Sequence, residues 1–180
     1  MSIFTGAGVA IITPFNEDGS VNYEEFGRII DDQISGGSDA IIVCGTTGES
    51  STMDHDEHIE VIKYCVEKVA GRVPVIAGSG SNCTREAINI SKRAEEVGAI
   101  GLLCVTPYYN KCTQEGLYQY YKAISDAVNI PIIMYNIPGR TGTTIQPETA
   151  VRIAKEVKNV VAIKEASGNI SAVAKLAALA

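Results

Sequence analysis

The sequence has no CxxC pair, no apolar run of membrane-spanning length, no excess of positive charge and no glycine-rich phosphate loop. Each absence removes a class of function. The five cysteines, Cys44, Cys65, Cys83, Cys104 and Cys112, are odd in number and lack ligand spacing, which argues against a disulfide framework or a structural zinc site. Cys44 and Cys104 lie inside apolar runs, where a thiol behaves as a small hydrophobe. All five read as reduced thiols, and no metal is expected. The segment Met1-Ser2-Ile3-Phe4-Thr5-Gly6 has neither the basic region nor the apolar core of a secretory leader. With no run long enough to span a bilayer, the expectation is a cytoplasmic protein without a membrane partner. A formal net charge of −6 speaks against nucleic-acid binding, which needs a basic face. No GxGxxG or Walker pattern follows any apolar run, which weakens a nucleotide-binding reading.

What is present is a chain of 180 residues, 46% of them apolar, enough for one domain with a substantial core. Short apolar runs at Val9–Ile12, Ala40–Cys44, Val73–Ala77, Gly101–Val105, Ile130–Tyr135 and Val160–Lys164 read as strands. Helical spacing fills the intervals. One helix carries Phe26, Ile29, Ile30 and Ile34 on one face, opened by Asn22 with Glu25 three residues on and closed by Gly36-Gly37. A second starts near Asp54, turns Ile59, Ile62, Val66 and Val69 inward and stops before Gly71; others follow at roughly 84–97, 114–128, 147–157 and from Ile170 onward. Alternating strands and helices predict a parallel sheet with crossover helices, either doubly wound or a (β/α)8 barrel. Candidate functional residues follow several different strands, which is the barrel's habit. A barrel takes about 250 residues and eight units, whereas six are legible and Lys175–Ala180 lies inside an unfinished helical pattern. The expectation is therefore a single barrel domain over residues 1–180, truncated so that strands seven and eight and the C-terminal helical region are absent.

Four segments carry chemistry. Lys164 ends the β-branched run Val160-Val161-Ala162-Ile163, which predicts a strand buried on both faces. Desolvation lowers a lysine's pKa and frees the amine to attack a carbonyl as a Schiff-base nucleophile; a lysine at a strand end that reaches water fits the same pattern. Gly45-Thr46-Thr47-Gly48-Glu49 predicts a tight turn whose amides and hydroxyls suit a carboxylate, or an ordinary βα turn. Thr106-Pro107-Tyr108-Tyr109-Asn110 places two tyrosines in a loop, where one projects its phenol or either fills core. Tyr135-Asn136-Ile137-Pro138-Gly139-Arg140-Thr141-Gly142 sets a phenol at a strand's end and an arginine on a Pro-Gly turn, suited to proton donation and carboxylate clamping, or simply a surface arginine.

GTTGE, TPYYN, YNIPGRTG and IKEASGN, in this order and spacing, resemble the dihydrodipicolinate synthase family of pyruvate-dependent Schiff-base aldolases, from the first strand to the last residue. The resemblance implies a TIM barrel that condenses pyruvate with L-aspartate-4-semialdehyde in lysine and diaminopimelate biosynthesis. It implies that Lys164 forms an imine with pyruvate, that Tyr135 relays protons with Thr46 as its partner, and that Tyr109 serves a neighbouring subunit's site. Thr46 and Thr47 match the positions whose amides hold the pyruvate carboxylate, and Arg140 the residue that meets the semialdehyde carboxylate. A homotetramer is implied, and no cofactor, since the imine is itself the electron sink.

N-acetylneuraminate lyases resemble the chain in the lysine and tyrosine but usually carry serine at position 46 and lack arginine at position 140; 2-keto-3-deoxy-sugar acid and hydroxy-oxoglutarate aldolases are further alternatives. The different-class alternative is an inactive barrel fragment or binding module. Ser50, Ser51, His55, His58, Asn82, Glu86 and Tyr108 match positions that bind feedback-inhibiting L-lysine in enteric relatives. An amide and a carboxylate suit an α-amino acid, and His55 and His58 share one helix face. The same two histidines, beside Asp54, Asp56 and Glu57, also fit a merely solvated helix start.

Overall fold

The structure, a computed structural model, describes residues 3–180; Met1 and Ser2, the start of the segment read above as lacking leader features, lie outside the described residues. Six strands alternate with helices: β1 (Gly8–Ala10), α1 (Tyr23–Ser35), β2 (Ala40–Val43), α2 (His55–Val69), β3 (Val75–Gly78), α3 (Thr84–Glu96), β4 (Gly101–Val105), α4 (Gln114–Ser125), β5 (Ile132–Asn136), α5 (Pro138–Thr141), α6 (Pro147–Glu156), β6 (Val160–Glu165) and α7 (Ile170–Leu179). A 3-10 turn, Ser50–Thr52, precedes α2. The sheet order is β1-β2-β3-β4-β5-β6. A doubly wound sheet reverses its order at a switch point; strands that neighbour one another in chain order are those of the (β/α)8 fold.

Local chemistry explains the boundaries. The Asn22 side-chain carbonyl accepts from the Glu25 N–H at 3.0 Å and opens α1. The Glu25 carboxylate pairs with Arg28 instead of returning to the cap. Asp54 accepts from the Asp56 and Glu57 amides at 2.9 and 2.8 Å, and Thr113 caps α4 through the Gly116 N–H. β3 and β5 each begin after a proline, Pro74 and Pro131, later than apolarity alone suggests, because proline has no N–H for the ladder.

The chain divides into two compact units. Among the described residues, one comprises residues 3–79 and Arg93–Leu102, the other Gly80–Lys92 and Leu103–Ala180. In the first, β1, β2 and β3 pair in parallel and Phe26, Ile30, Ile41, Ile62 and Ile76 are fully buried. Tyr64 stacks on Phe26 with ring centroids 5.9 Å apart and joins α2 to α1 through its hydroxyl on the Tyr23 carbonyl, 2.6 Å. Burial pushes the Cys44 and Cys65 thiols up, which keeps them protonated as hydrophobes. In the second unit, Tyr121, Leu117, Ile124, Ile132, Met134 and Ile153 form the core. The enclosed Tyr121 hydroxyl donates to the Cys104 carbonyl at 3.0 Å. Among the described residues no helix is long and apolar enough to cross a membrane.

Candidate active site

Residues able to do chemistry gather where strands end. In the first unit, β2 runs into Cys44, which turns left-handed (φ 53°), as does Glu49 (φ 54°). Such backbone in non-glycine residues is uncommon and concentrates at functional sites. The turn between them is tied down. The buried Thr13 hydroxyl donates to the Gly48 carbonyl at 2.8 Å. The Gly48 and Glu49 amides donate to the Gly45 and Thr46 carbonyls at 3.1 and 3.2 Å. Gly48 allows a close approach, since a Cβ there would lie 3.2 Å from both the Cys44 nitrogen and the Ile11 carbonyl oxygen. Gly78 is tighter, its Cβ position only 2.1 Å from the Cys44 carbonyl oxygen. On this platform Thr46 and Thr47 are both exposed.

The candidate regulatory residues of the first unit differ in setting. Ser50 is half-buried, Ser51 and His55 are exposed, and His58 is buried. His58 Nε2 lies 2.9 Å from the Gly78 carbonyl, to which it donates as the neutral tautomer. Burial pushes the His58 pKa below its ordinary value; the bond to Gly78 opposes this, while the nearby His55 and Arg93 add to it. A merely solvated helix start therefore does not describe His58, whose ring is buried against the Gly78 carbonyl.

In the second unit Asn82 is half-buried and its carbonyl accepts from Asn110 Nδ2 at 3.0 Å. The Glu86 carboxylate accepts from the Ser81 hydroxyl. The Ser81 N–H donates in turn to the Tyr120 hydroxyl at 3.0 Å. Tyr108 and Tyr109 are 36% and 89% exposed, so neither fills core. Tyr109 also sits on left-handed backbone (φ 72°), as does Lys111 (φ 45°), which projects the ring from the loop. Arg140, expected on a turn, lies in the one-turn helix α5, capped by Gly142 at φ 68°, with its side chain exposed.

The centre of the second unit is the β5–β6 pair. Tyr135 stands opposite Lys164, and the lysine Nζ lies 4.4 Å from the centroid of the phenol ring. Tyr135 is buried. Lys164 is half-buried, which corrects the expectation of a strand enclosed on both faces: Val160 is buried, Val161 and Ala162 are exposed, and Ile163 to Glu165 are intermediate. β6 stands last in the sheet order, with β5 as its neighbour. The lysine rests against an aromatic face on a strand that is only partly enclosed. The register depends on an irregularity: Ile132 pairs with Val160 but Ile133 with Ala162, so that Val161 is an extra residue in β6.

One position beyond this pair, Asn136 faces Glu165. Neither was assigned a role from the sequence, although each directly follows a candidate catalytic residue. Burial works to raise the Glu165 pKa, but hydrogen bonds from Asn136 and Ser167 outweigh it and hold the carboxyl below the usual glutamate range.

The family described as dihydrodipicolinate synthetase matches residues 3–180. The chain belongs to that family. The 4-hydroxy-tetrahydrodipicolinate synthase of Lachnoclostridium phytofermentans is 57% identical over 177 residues, 98% of this chain and 60% of that protein. The chloride-inhibited dihydrodipicolinate synthase of Acinetobacter baumannii, solved in complex with pyruvate, superposes with a TM-score of 0.95 at 48% identity, covering 99% of this chain and 61% of that one. The enzyme of Cyanidioschyzon merolae, solved with lysine bound, gives 0.96 at 41% identity, covering 99% and 61%. This dihydrodipicolinate synthetase family member thus spans about 60% of the length of the curated relatives it matches.

Proposed function

We propose that the chain carries the chemistry of a 4-hydroxy-tetrahydrodipicolinate synthase, a lyase of lysine and diaminopimelate biosynthesis that joins pyruvate to L-aspartate-4-semialdehyde. The observation that carries the reading is Lys164 lying over the Tyr135 ring at the paired ends of β5 and β6. In this reading the lysine amine attacks the keto carbon of pyruvate and water leaves, giving an imine. Loss of a methyl proton converts the imine to an enamine, whose carbon adds to the semialdehyde carbonyl. The semialdehyde's own amine then displaces Lys164 and closes the ring, which returns the free lysine.

The remaining residues take the roles the family resemblance implies. Tyr135, Thr46 and Tyr109 move protons. The Thr46–Thr47 amides hold the pyruvate carboxylate, and Arg140 meets the carboxylate of the semialdehyde, for which an exposed guanidinium has the right geometry. Tyr109, 89% exposed on left-handed backbone, is assigned to a neighbouring site in a homotetramer. Ser50, Ser51, His55, His58, Asn82, Glu86 and Tyr108 are assigned to L-lysine, and the reading places the protein in the cytoplasm. The test is intact mass after incubation with pyruvate and borohydride, followed by peptide mapping. A single reduced pyruvyl adduct on Lys164 is the expected result, and a folded chain that yields none overturns the reading.

A further inference from the structure

The opposition of Lys164 and Tyr135 is a matter of strand register, and register has to be held. Strand side chains alternate between faces, so a one-residue slip of β6 against β5 would carry the lysine to the face opposite the phenol. The extra residue at Val161 sets the count: beyond it Ile133 meets Ala162, Met134 meets Ile163, and Tyr135 meets Lys164. A bulge sets register without pinning it, because its own ladder is locally broken.

The pin lies on the other face, one residue further along. Asn136 is 1% exposed and both ends of its amide are engaged. Its Nδ2 donates to Glu165 Oε2 at 2.7 Å, and its Oδ1 accepts from the Ile145 N–H at 3.0 Å. The second carboxylate oxygen of Glu165 accepts from the Ser167 N–H at 2.7 Å. The Ala166 N–H donates to the Asn136 carbonyl at 2.9 Å. The backbone partners have one polarity only. A backbone N–H cannot accept, so Asn136 must turn its oxygen to Ile145 and its NH2 to Glu165, and Glu165 must accept twice.

We propose that Asn136 and Glu165 are positioning residues for the Lys164 imine chemistry, locking the β5–β6 register that lays the lysine amine against the Tyr135 phenol. The functional half of this inference rests on the reading under Proposed function. The lock itself does not, and the two fail separately.

The logic of the lock supplies its own test, since the amide and the carboxylate can be exchanged. In Asn136→Asp two carboxylates face each other. In Glu165→Gln the single remaining oxygen must choose between the Asn136 NH2 and the Ser167 N–H. In the double variant Asn136→Asp/Glu165→Gln, the carboxylate now on β5 accepts from the Ile145 N–H and from the amide now on β6, whose oxygen accepts from Ser167. The bond between the two side chains is restored with reversed polarity, the two backbone N–H groups still donate, and the net charge is unchanged.

The rate of borohydride-trapped pyruvyl adduct formation at saturating pyruvate is measured for the four proteins. Amide hydrogen exchange at Ile145, Ala166 and Ser167 is followed in parallel. The expected result is that each single variant forms adduct at least tenfold more slowly and loses protection at these amides, while the double variant returns to within about threefold of the parent on both counts. A slower rate at saturating pyruvate, recovered by the swap, is what a merely stabilising pair would not produce. Single variants that match the parent in rate, or a double variant as slow or as unfolded as the worse single, overturn the proposal. Should the parent itself form no adduct, the synthase reading fails, and exchange protection in the four proteins still decides whether the register lock exists.

Discussion

Lys164 and Tyr135 face each other across two adjacent parallel strands, with the ammonium nitrogen 4.4 Å from the centre of the phenol ring. In the proposed function this pair sets the nucleophile beside its proton carrier. Lys164→Ala is expected to abolish the pyruvyl adduct. Tyr135→Phe keeps the ring beneath the ammonium and removes only the hydroxyl. The trapped-adduct rate is expected to fall by roughly a hundredfold or more, the range of a lost general acid–base group. A Tyr135→Phe protein that reacts at the parent rate would remove the phenol from the proton path.

In the proposed function Arg140 bears on one substrate only. Loss of a hydrogen bond to a charged group costs about 1.5–3 kcal/mol, or roughly tenfold to a hundredfold. Arg140→Ala is expected to lose that much in kcat/KM for L-aspartate-4-semialdehyde while adduct formation with pyruvate stays near the parent rate. Steady-state kinetics beside trapping kinetics separate the two, and equal losses would count against its assignment.

Gly78 has no room for a side chain. The Cβ of alanine there would lie 2.1 Å from the Cys44 carbonyl oxygen, a backbone atom that cannot swing aside. Gly78→Ala is expected to lose about 3 kcal/mol, the upper range of overpacking, read as a shift of the urea midpoint. Gly139→Ala, with nothing within 4 Å of its Cβ, should stay within about 0.5 kcal/mol, as surface substitutions do.

His58 makes stability depend on pH. Its folded pKa lies below its ordinary value of 6.5, first through burial. Between the folded and unfolded values the unfolded chain binds more protons, so stability rises with pH across that window. The contribution is fully present above about 6.5 and is lost as pH falls toward the folded value. His58→Gln keeps a donor for the Gly78 carbonyl but does not titrate. Its deficit in urea midpoint against the parent, measured at pH 8, is expected to shrink by pH 5; a constant gap would deny the buried imidazole this role.

Much of the fold was legible because it is written locally. β4 spans Gly101–Val105 as its apolar run predicts, and α1 and α2 begin where Asn22 and Asp54 supply caps. The inward faces were read less well. Periodicity selected Ile29, Ile34 and Val66, which are only half-buried, and passed over Gly27, Val61 and Cys65, which are buried. Helix phase is local, but which part of an apolar stripe is covered depends on the neighbouring helix. Tyr64, which lies over both Tyr23 and Phe26, settles that between α1 and α2. Tyr108 and Tyr109 are exposed in a loop where Tyr109 and Lys111 take left-handed backbone, a property no residue type announces.

The sequence by itself determined the alternation of strand and helix and the helix starts, because spacing, capping and proline geometry act over a few residues. Only the tertiary structure decided which residues face each other. That Lys164 meets Tyr135, and Asn136 meets Glu165, 29 residues apart in the chain, depends on one extra residue at Val161 and on hydrogen bonds between distant segments. That His58 lies buried against the Gly78 carbonyl depends on how α2 packs on β3. Register and burial are relations between elements, and they take definite values only when the elements pack.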